Sequence, residues 1–215
     1  MRPIKFRGLS INGEWHIGLL SHSTGAKGHT VPEGWYISNK AGMPWAYQIR
    51  PETVGQFTAL TDKNGKEIYE GDILRWYTVD IEYQTHYGDN IPFGSYAEPC
   101  GVICKKFEMP VVFRDAMFTC NPPRDPEEDE AISIDCPIQY PRPYDRKELN
   151  HIFYPRPYGK ENEVLSDEEF LEAAQIYAEE LGFKCASIDD FISKINGFEV
   201  IGNIYEHPSL LNNHK

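Results

Sequence analysis

The sequence predicts an α+β protein that is mainly β, with a barrel-like antiparallel β core, an inserted proline-rich segment and a pair of helices. Three observations predict it. Short apolar and aromatic runs in residues 1–118 are punctuated by turn signals such as Asn12-Gly13, Asn64-Gly65 and Gly71-Asp72. Half of the 16 prolines then fall between 121 and 158 (Pro122, Pro123, Pro126, Pro137, Pro141, Pro143, Pro155 and Pro157), beside the acidic run Glu127-Glu128-Asp129-Glu130. Proline lacks the amide donor that a central strand or a helix interior needs, so this stretch reads as irregular. After it, apolar residues recur at helical spacing.

In chain order, the clearest hairpin runs from Gln56-Phe57-Thr58-Ala59-Leu60 through residues 61–66 to Glu67-Ile68-Tyr69, with Asn64-Gly65 read as a tight type I′ turn. Asp72 to Ile81 carries Ile73, Leu74, Trp76, Tyr77, Val79 and Ile81, a run dense enough for a buried strand. Val102–Phe107 and Pro110–Phe118 read as a second strand pair. Ser166 and Glu169 form a capping box, and Leu165 and Phe170 are placed as a hydrophobic staple. Phe170, Ala174, Tyr177 and Leu181 share one face before Gly182, predicting a helix over 167–181. Ser187 caps a shorter helix bearing Ile188, Phe191, Ile192 and Ile195, and residues 198–205 form a last strand. The resulting division is a β core at 1–120 and 198–210, an acidic proline-rich insertion at 121–165, and a helical hairpin at 166–197 packed on the core.

A chain of 215 residues can bury a core without disulfide staples, and its 13% aromatic content suits compact β structure. No apolar run follows the basic start, and no stretch approaches the roughly 20 apolar residues of a membrane span, so the expected location is the cytoplasm, with no membrane contact. Five cysteines at irregular spacing read as reduced thiols. The net charge of −12 opposes a broad phosphate-binding surface while leaving room for a local basic groove or for an acidic face that attracts a basic partner.

Two stretches carry a family likeness. Residues 51–73, Pro-Glu-Thr-Val-Gly-Gln-Phe-Thr-Ala-Leu-Thr-Asp-Lys-Asn-Gly-Lys-Glu-Ile-Tyr-Glu-Gly-Asp-Ile, and residues 198–206, Phe-Glu-Val-Ile-Gly-Asn-Ile-Tyr-Glu, resemble the YopX-like family of phage and prophage proteins. Ile4-Lys5-Phe6-Arg7 and Gly13-Glu14-Trp15 look like that family's amino-terminal strand pair. The resemblance implies a β-barrel-like core encoded in bacterial genomes and prophages, and it brings no activity with it. The material between about 121 and 197 departs from the short family pattern. The signature also has a folding reading, with Gly55, Gly65 and Gly71 serving turns and Asp62 and Asp72 bonding turn amides.

Candidate chemistry is sparse. Tyr-Pro-Arg-Pro-Tyr occurs twice, and its Tyr140, Arg142, Tyr144, Tyr154, Arg156 and Tyr158 are candidate partner-binding residues if displayed to an aromatic groove, or parts of a rigid packed loop. Within the signature, Gln56, Glu70 and Asp72 form a candidate core-motif site. Glu70 and Asp72 share a side on a regular strand and can then perturb one another as acid–base pairs do, or they can bond the turn backbone. His16, His22 and His29, and Cys100, Cys104, Cys120 and Cys136, have no diagnostic metal spacing. Ser23–Thr30 lacks the Gly-Lys-Ser/Thr order of a phosphate loop. No cofactor and no catalytic residue is assigned. The expected function is a non-enzymatic phage or prophage accessory protein that contacts a host or phage protein. The alternatives are a nucleic-acid-binding barrel using a patch from Arg2, Lys5 and Arg7, and a hydrolase-like enzyme using the turn carboxylates. A homo-oligomer is expected from exposed strand edges.

Overall fold

A computed structural model describes residues 3–25, 30–38, 46–87, 95–114, 117–120, 143–154 and 164–213. The chain divides into two compact units: one of residues 1–75, 108–139 and 199–215, the other of 76–107 and 140–198.

In the first unit six antiparallel strands run in the order β4-β3-β2-β1-β5-β6: β1 (Phe6–Leu9), β2 (Trp15–Ser23), β3 (Gly34–Ser38), β4 (Ala46–Ile49), β5 (Gly55–Thr61) and β6 (Glu67–Tyr69). Gly8 faces the inside of this sheet, where an added Cβ meets Ile49 Cδ1 at 2.7 Å and Ile37 Cδ1 at 3.1 Å. Ser10 bridges to Ile49, and the Arg50 amide donates to the Leu9 carbonyl at 2.9 Å, so the end of β4 returns to the end of β1. That local return is as near as the described strands come to the expected barrel, because the sheet stays open along the rest of its edges.

The hairpin of β5 and β6 forms where the alternation places it, but its turn differs. A type I′ turn needs positive φ at both Asn64 and Gly65, and only Gly65 has it, at +80°. Asp62 is the reason. Its Oδ1 accepts from the amides of Asn64 and Lys66 at 2.8 and 2.9 Å, and its carbonyl accepts from Gly65 at 2.9 Å. This holds Lys63 and Asn64 in an ordinary turn that closes through one left-handed glycine. Asp62 Oδ2 also accepts from the Val200 amide at 3.1 Å, tying the turn to a strand 138 residues further along the chain.

Burial raises the Asp62 pKa, but the donors from Val200, Lys66 and Asn64 outweigh it and hold the carboxyl below its ordinary value. A folded-state pKa below the unfolded one contributes stability above the unfolded value, and that stability is lost as pH falls through the folded value. Asp62→Asn presents an NH₂ to backbone donors. We expect it to cost roughly 1–3 kcal/mol at pH 7 and to lose its deficit against wild type progressively as pH falls through the folded-state value, as read by urea melts along an acid series.

Strand β7 (Asp72–Tyr87) begins in the first unit, where β11 (Glu199–Asn203) pairs with its residues 72–75, and continues into the second. The expected strand at 72–81 is thus longer. Val102–Phe107 lies within β8 (Ser95–Pro110), the neighbour of β7. The expected strand at 110–118 is instead a separate short hairpin of β9 (Val112–Arg114) and β10 (Met117–Thr119).

Among the described residues the second unit holds three helices, α1 (Arg146–Phe153), α2 (Asp167–Glu180) and α3 (Ile188–Ile195). The capping box of Ser166 and Glu169 is formed, and Ser187 accepts from the Asp190 amide. Helix α1 falls inside the stretch read as irregular. Asp145 caps it by accepting from the Glu148 amide at 2.7 Å, and Leu149, Ile152 and Phe153 are buried at i, i+3 and i+4. Phe153 is central to the core, with ring centroids 5.1 Å from Phe170, 4.9 Å from Tyr177 and 5.8 Å from Phe191. Tyr77 and Val79 of β7 pack into the same cluster. Among the described residues no helix is long and apolar enough to cross a membrane.

Candidate functional site

The residues that carry the family likeness meet in the first unit around Arg7. From β1 its guanidinium lies 4.7 Å from the Trp15 ring of β2 and 5.0 Å from the Tyr69 ring of β6. Its Nη1 donates to Asp72 Oδ1 at 2.7 Å, and the two side chains are 11% and 1% exposed, so this is a buried ion pair. The other Asp72 oxygen accepts from the Tyr69 amide at 2.8 Å. Burial pushes the Asp72 carboxyl up, while Arg7 and the Tyr69 amide pull it back; burial prevails. Around this pair, Lys5 bonds Glu67 and lies 4.4 Å from the Phe57 ring, and the Tyr69 hydroxyl donates to Glu67 at 2.6 Å. Lys5 and Tyr69 together hold Glu67 below its usual range, and burial followed by Glu67 pushes the Tyr69 hydroxyl up.

Tyr205 lies 6.2 Å from Trp15 between ring centroids. Glu206 is held low, first by the Trp15 indole and then by Asn203, whose amide donates to it at 2.6 Å. Gly71 adopts φ +82°, and an added Cβ there is 3.2 Å from the Tyr205 ring.

Within the candidate trio, Gln56 on β5 lends its carbonyl to the Glu70 amide at 3.0 Å. The two carboxylates lie in different surroundings. Asp72 turns inward to Arg7 and Tyr69, whereas Glu70 acts on Tyr205, whose hydroxyl is raised by burial and then by Glu70. Of the tyrosine–proline repeats, Tyr144 is half-buried. Its hydroxyl accepts from the Val79 amide at 3.0 Å, and its backbone exchanges hydrogen bonds with the Asn196 side chain. Tyr154, at the end of α1, is exposed. Tyr140, Arg142, Arg156 and Tyr158 lie outside the described residues, as do Arg2, His29 and Cys136.

A second feature, which sequence reasoning did not single out, is a row of aromatic side chains on one face of β2, β3 and β4. His22 pairs in register with Trp35, and their rings are 4.8 Å apart. Tyr47 reaches from β4 to stack on His16 at 3.8 Å, with only 7° between the rings. Strand alternation puts His16, Leu20 and His22 on the face that also carries Trp35, Ile37 and Tyr47. Ile37 is fully buried, while Trp35 and Tyr47 each remain 38% exposed. Their period-two spacing was the available signal, but the histidines drew attention as metal ligands instead. Among the described residues no group of three or more metal-ligating side chains comes together. Cys100, Cys104, Cys120 and Cys185 are free thiols, and burial pushes Cys104 and Cys120 up to about 12. Cys100 is exposed.

Residues 21–108 match the family model described as YopX protein. The match contains residues 51–73 but not the outer stretches at 4–15 and 198–206, which join them around Arg7. No curated protein and no solved structure matches the chain.

Proposed function

We propose that this YopX-like protein is a non-enzymatic protein-interaction module, a phage- or prophage-type accessory protein that docks a partner on the aromatic face of β2, β3 and β4. The observation that carries the reading is the exposure of Trp35 and Tyr47, which contact the rings of His22 and His16 on the face that also holds buried Ile37. Large amphipathic rings held in place give contact area at little entropic cost, and Trp and Tyr dominate the energetic centres of protein interfaces. Within the insertion, Tyr154 of the second tyrosine–proline repeat is exposed among the described residues.

The nucleic-acid alternative draws less support. Lys5 is paired with Glu67, and Arg7 is paired with Asp72 and mostly buried, so neither is displayed on the surface to a phosphate backbone. A hydrolase using Glu70 and Asp72 needs both carboxylates at one substrate, and Asp72 is instead buried and engaged by Arg7 and the Tyr69 amide.

Trp35→Ser/Tyr47→Ser removes both partly exposed rings and keeps their buried neighbours Ile49 and Ile37. In capture from bacterial lysate with nuclease present, the tagged wild-type chain is expected to retain a protein partner in stoichiometric amount. The double variant, folded by circular dichroism, is expected to lose at least about 2 kcal/mol of affinity. Undiminished capture by the variant, or cargo that vanishes with nuclease, overturns the reading.

A further inference from the structure

We propose that Arg7 is a carboxylate-binding residue whose second recognition edge, buried and without an acceptor among the described residues, lies beside its ion pair with Asp72. A guanidinium has two faces that can hold a planar oxyanion: the end formed by its two terminal nitrogens, and the side formed by Nε with the outer terminal nitrogen. Asp72 engages Nη1 alone. Nε and Nη2, which make up the side-on fork, are buried and have no hydrogen-bond partner among the described residues. Two parallel buried donors without an acceptor carry a full desolvation penalty, so they mark a place where an acceptor is missing. The Trp15 and Tyr69 rings fix the plane of the guanidinium and keep the fork from rotating to find a partner of its own.

The surroundings select the ligand. Asp72 beside the fork and Glu206 beside Trp15 disfavour a doubly charged phosphate, while a single carboxylate needs one compensating charge and two coplanar donors. Trp15 and Tyr205 are rings near Arg7 that reach the surface, so a ligand can meet the buried fork only if they move aside. A small free carboxylate and the carboxylate of a peptide share this chemistry. The inference does not depend on the aromatic docking row.

The test follows the Nε–H resonance of Arg7 in the ¹⁵N-labelled full chain, assigned through its own backbone. Sodium acetate is expected to move it downfield to saturation, and sodium chloride at matched ionic strength to leave it in place. Arg7→Lys keeps the charge but lacks the fork, and acetate affinity read at the Trp15 indole resonance is expected to fall about tenfold. A peptide with a free C-terminus that saturates at lower concentration than acetate, while its amide does not bind, assigns the site to a peptide; equal or stronger acetate binding assigns it to a small carboxylate. Absence of an acetate-specific shift in the wild-type chain overturns the proposal without reference to any variant. Unchanged acetate affinity in a folded Arg7→Lys protein overturns it as well.

Discussion

Asp72→Ala is expected to destabilise the protein by about 3–5 kcal/mol, the range for removing one partner of a buried ion pair. The loss comes from what remains. Arg7 would keep its charge in a site where the pair is 11% and 1% exposed, with Nε and Nη2 already lacking acceptors, so every guanidinium donor there would lack its protein partner. The Tyr69 amide would lose its acceptor as well, and with it the bond that closes the turn between β6 and β7. Replacing Arg7 by Met in the same chain removes the stranded charge and fills much the same volume. Arg7→Met/Asp72→Ala is therefore expected to recover a substantial part of the loss, and a double-mutant cycle by urea denaturation reads the coupling directly. Additive single effects would mean that the two side chains do not depend on one another.

Gly55→Ala is the second large effect. Gly55 pairs with Arg7 across β1 and β5, and a Cβ added there is 2.3 Å from the backbone oxygen of Glu70. A backbone atom cannot swing aside as the end of a side chain can, so β5 must move away from the turn at Glu70 or from β1. Overpacking of this kind costs about 3 kcal/mol or more. Thermal or urea melts check it, with Gly65→Ala as a contrast. At Gly65 an added Cβ meets nothing within 4 Å, and the cost there is the strain of φ +80° alone, about 1 kcal/mol.

Both effects lie within residues 51–73, and they show why that stretch was only half legible in the sequence. The hairpin at 56–69 and helix α2 could be read because their determinants are local: alternation, a turn glycine, and a Ser166–Glu169 box whose members are three residues apart. The turn type was misread because the deciding group, the Asp62 side chain, lies outside the dipeptide that signals a turn. Helix α1 was hidden by the prolines at 143 and 155 on either side of an eight-residue element whose apolar face is Leu149, Ile152 and Phe153.

The Arg7–Asp72 pair was legible only as two separate observations, a basic residue in an amino-terminal strand and an acidic residue at a turn. Nothing in the spacing of residues 65 positions apart brings them together. Their meeting depends on β1 pairing with β5 and β5 with β6. The aromatic face had the same difficulty, because Tyr47 and His16 stack across an intervening strand.

The most direct measurement of the docking proposal is backbone hydrogen exchange of the full chain, alone and bound to the protein it captures. The account predicts slowed exchange at residues 15–23, 34–38 and 46–49 on binding, with α2 and α3 unchanged. Protection confined to the helices, or none on the aromatic face, would contradict it.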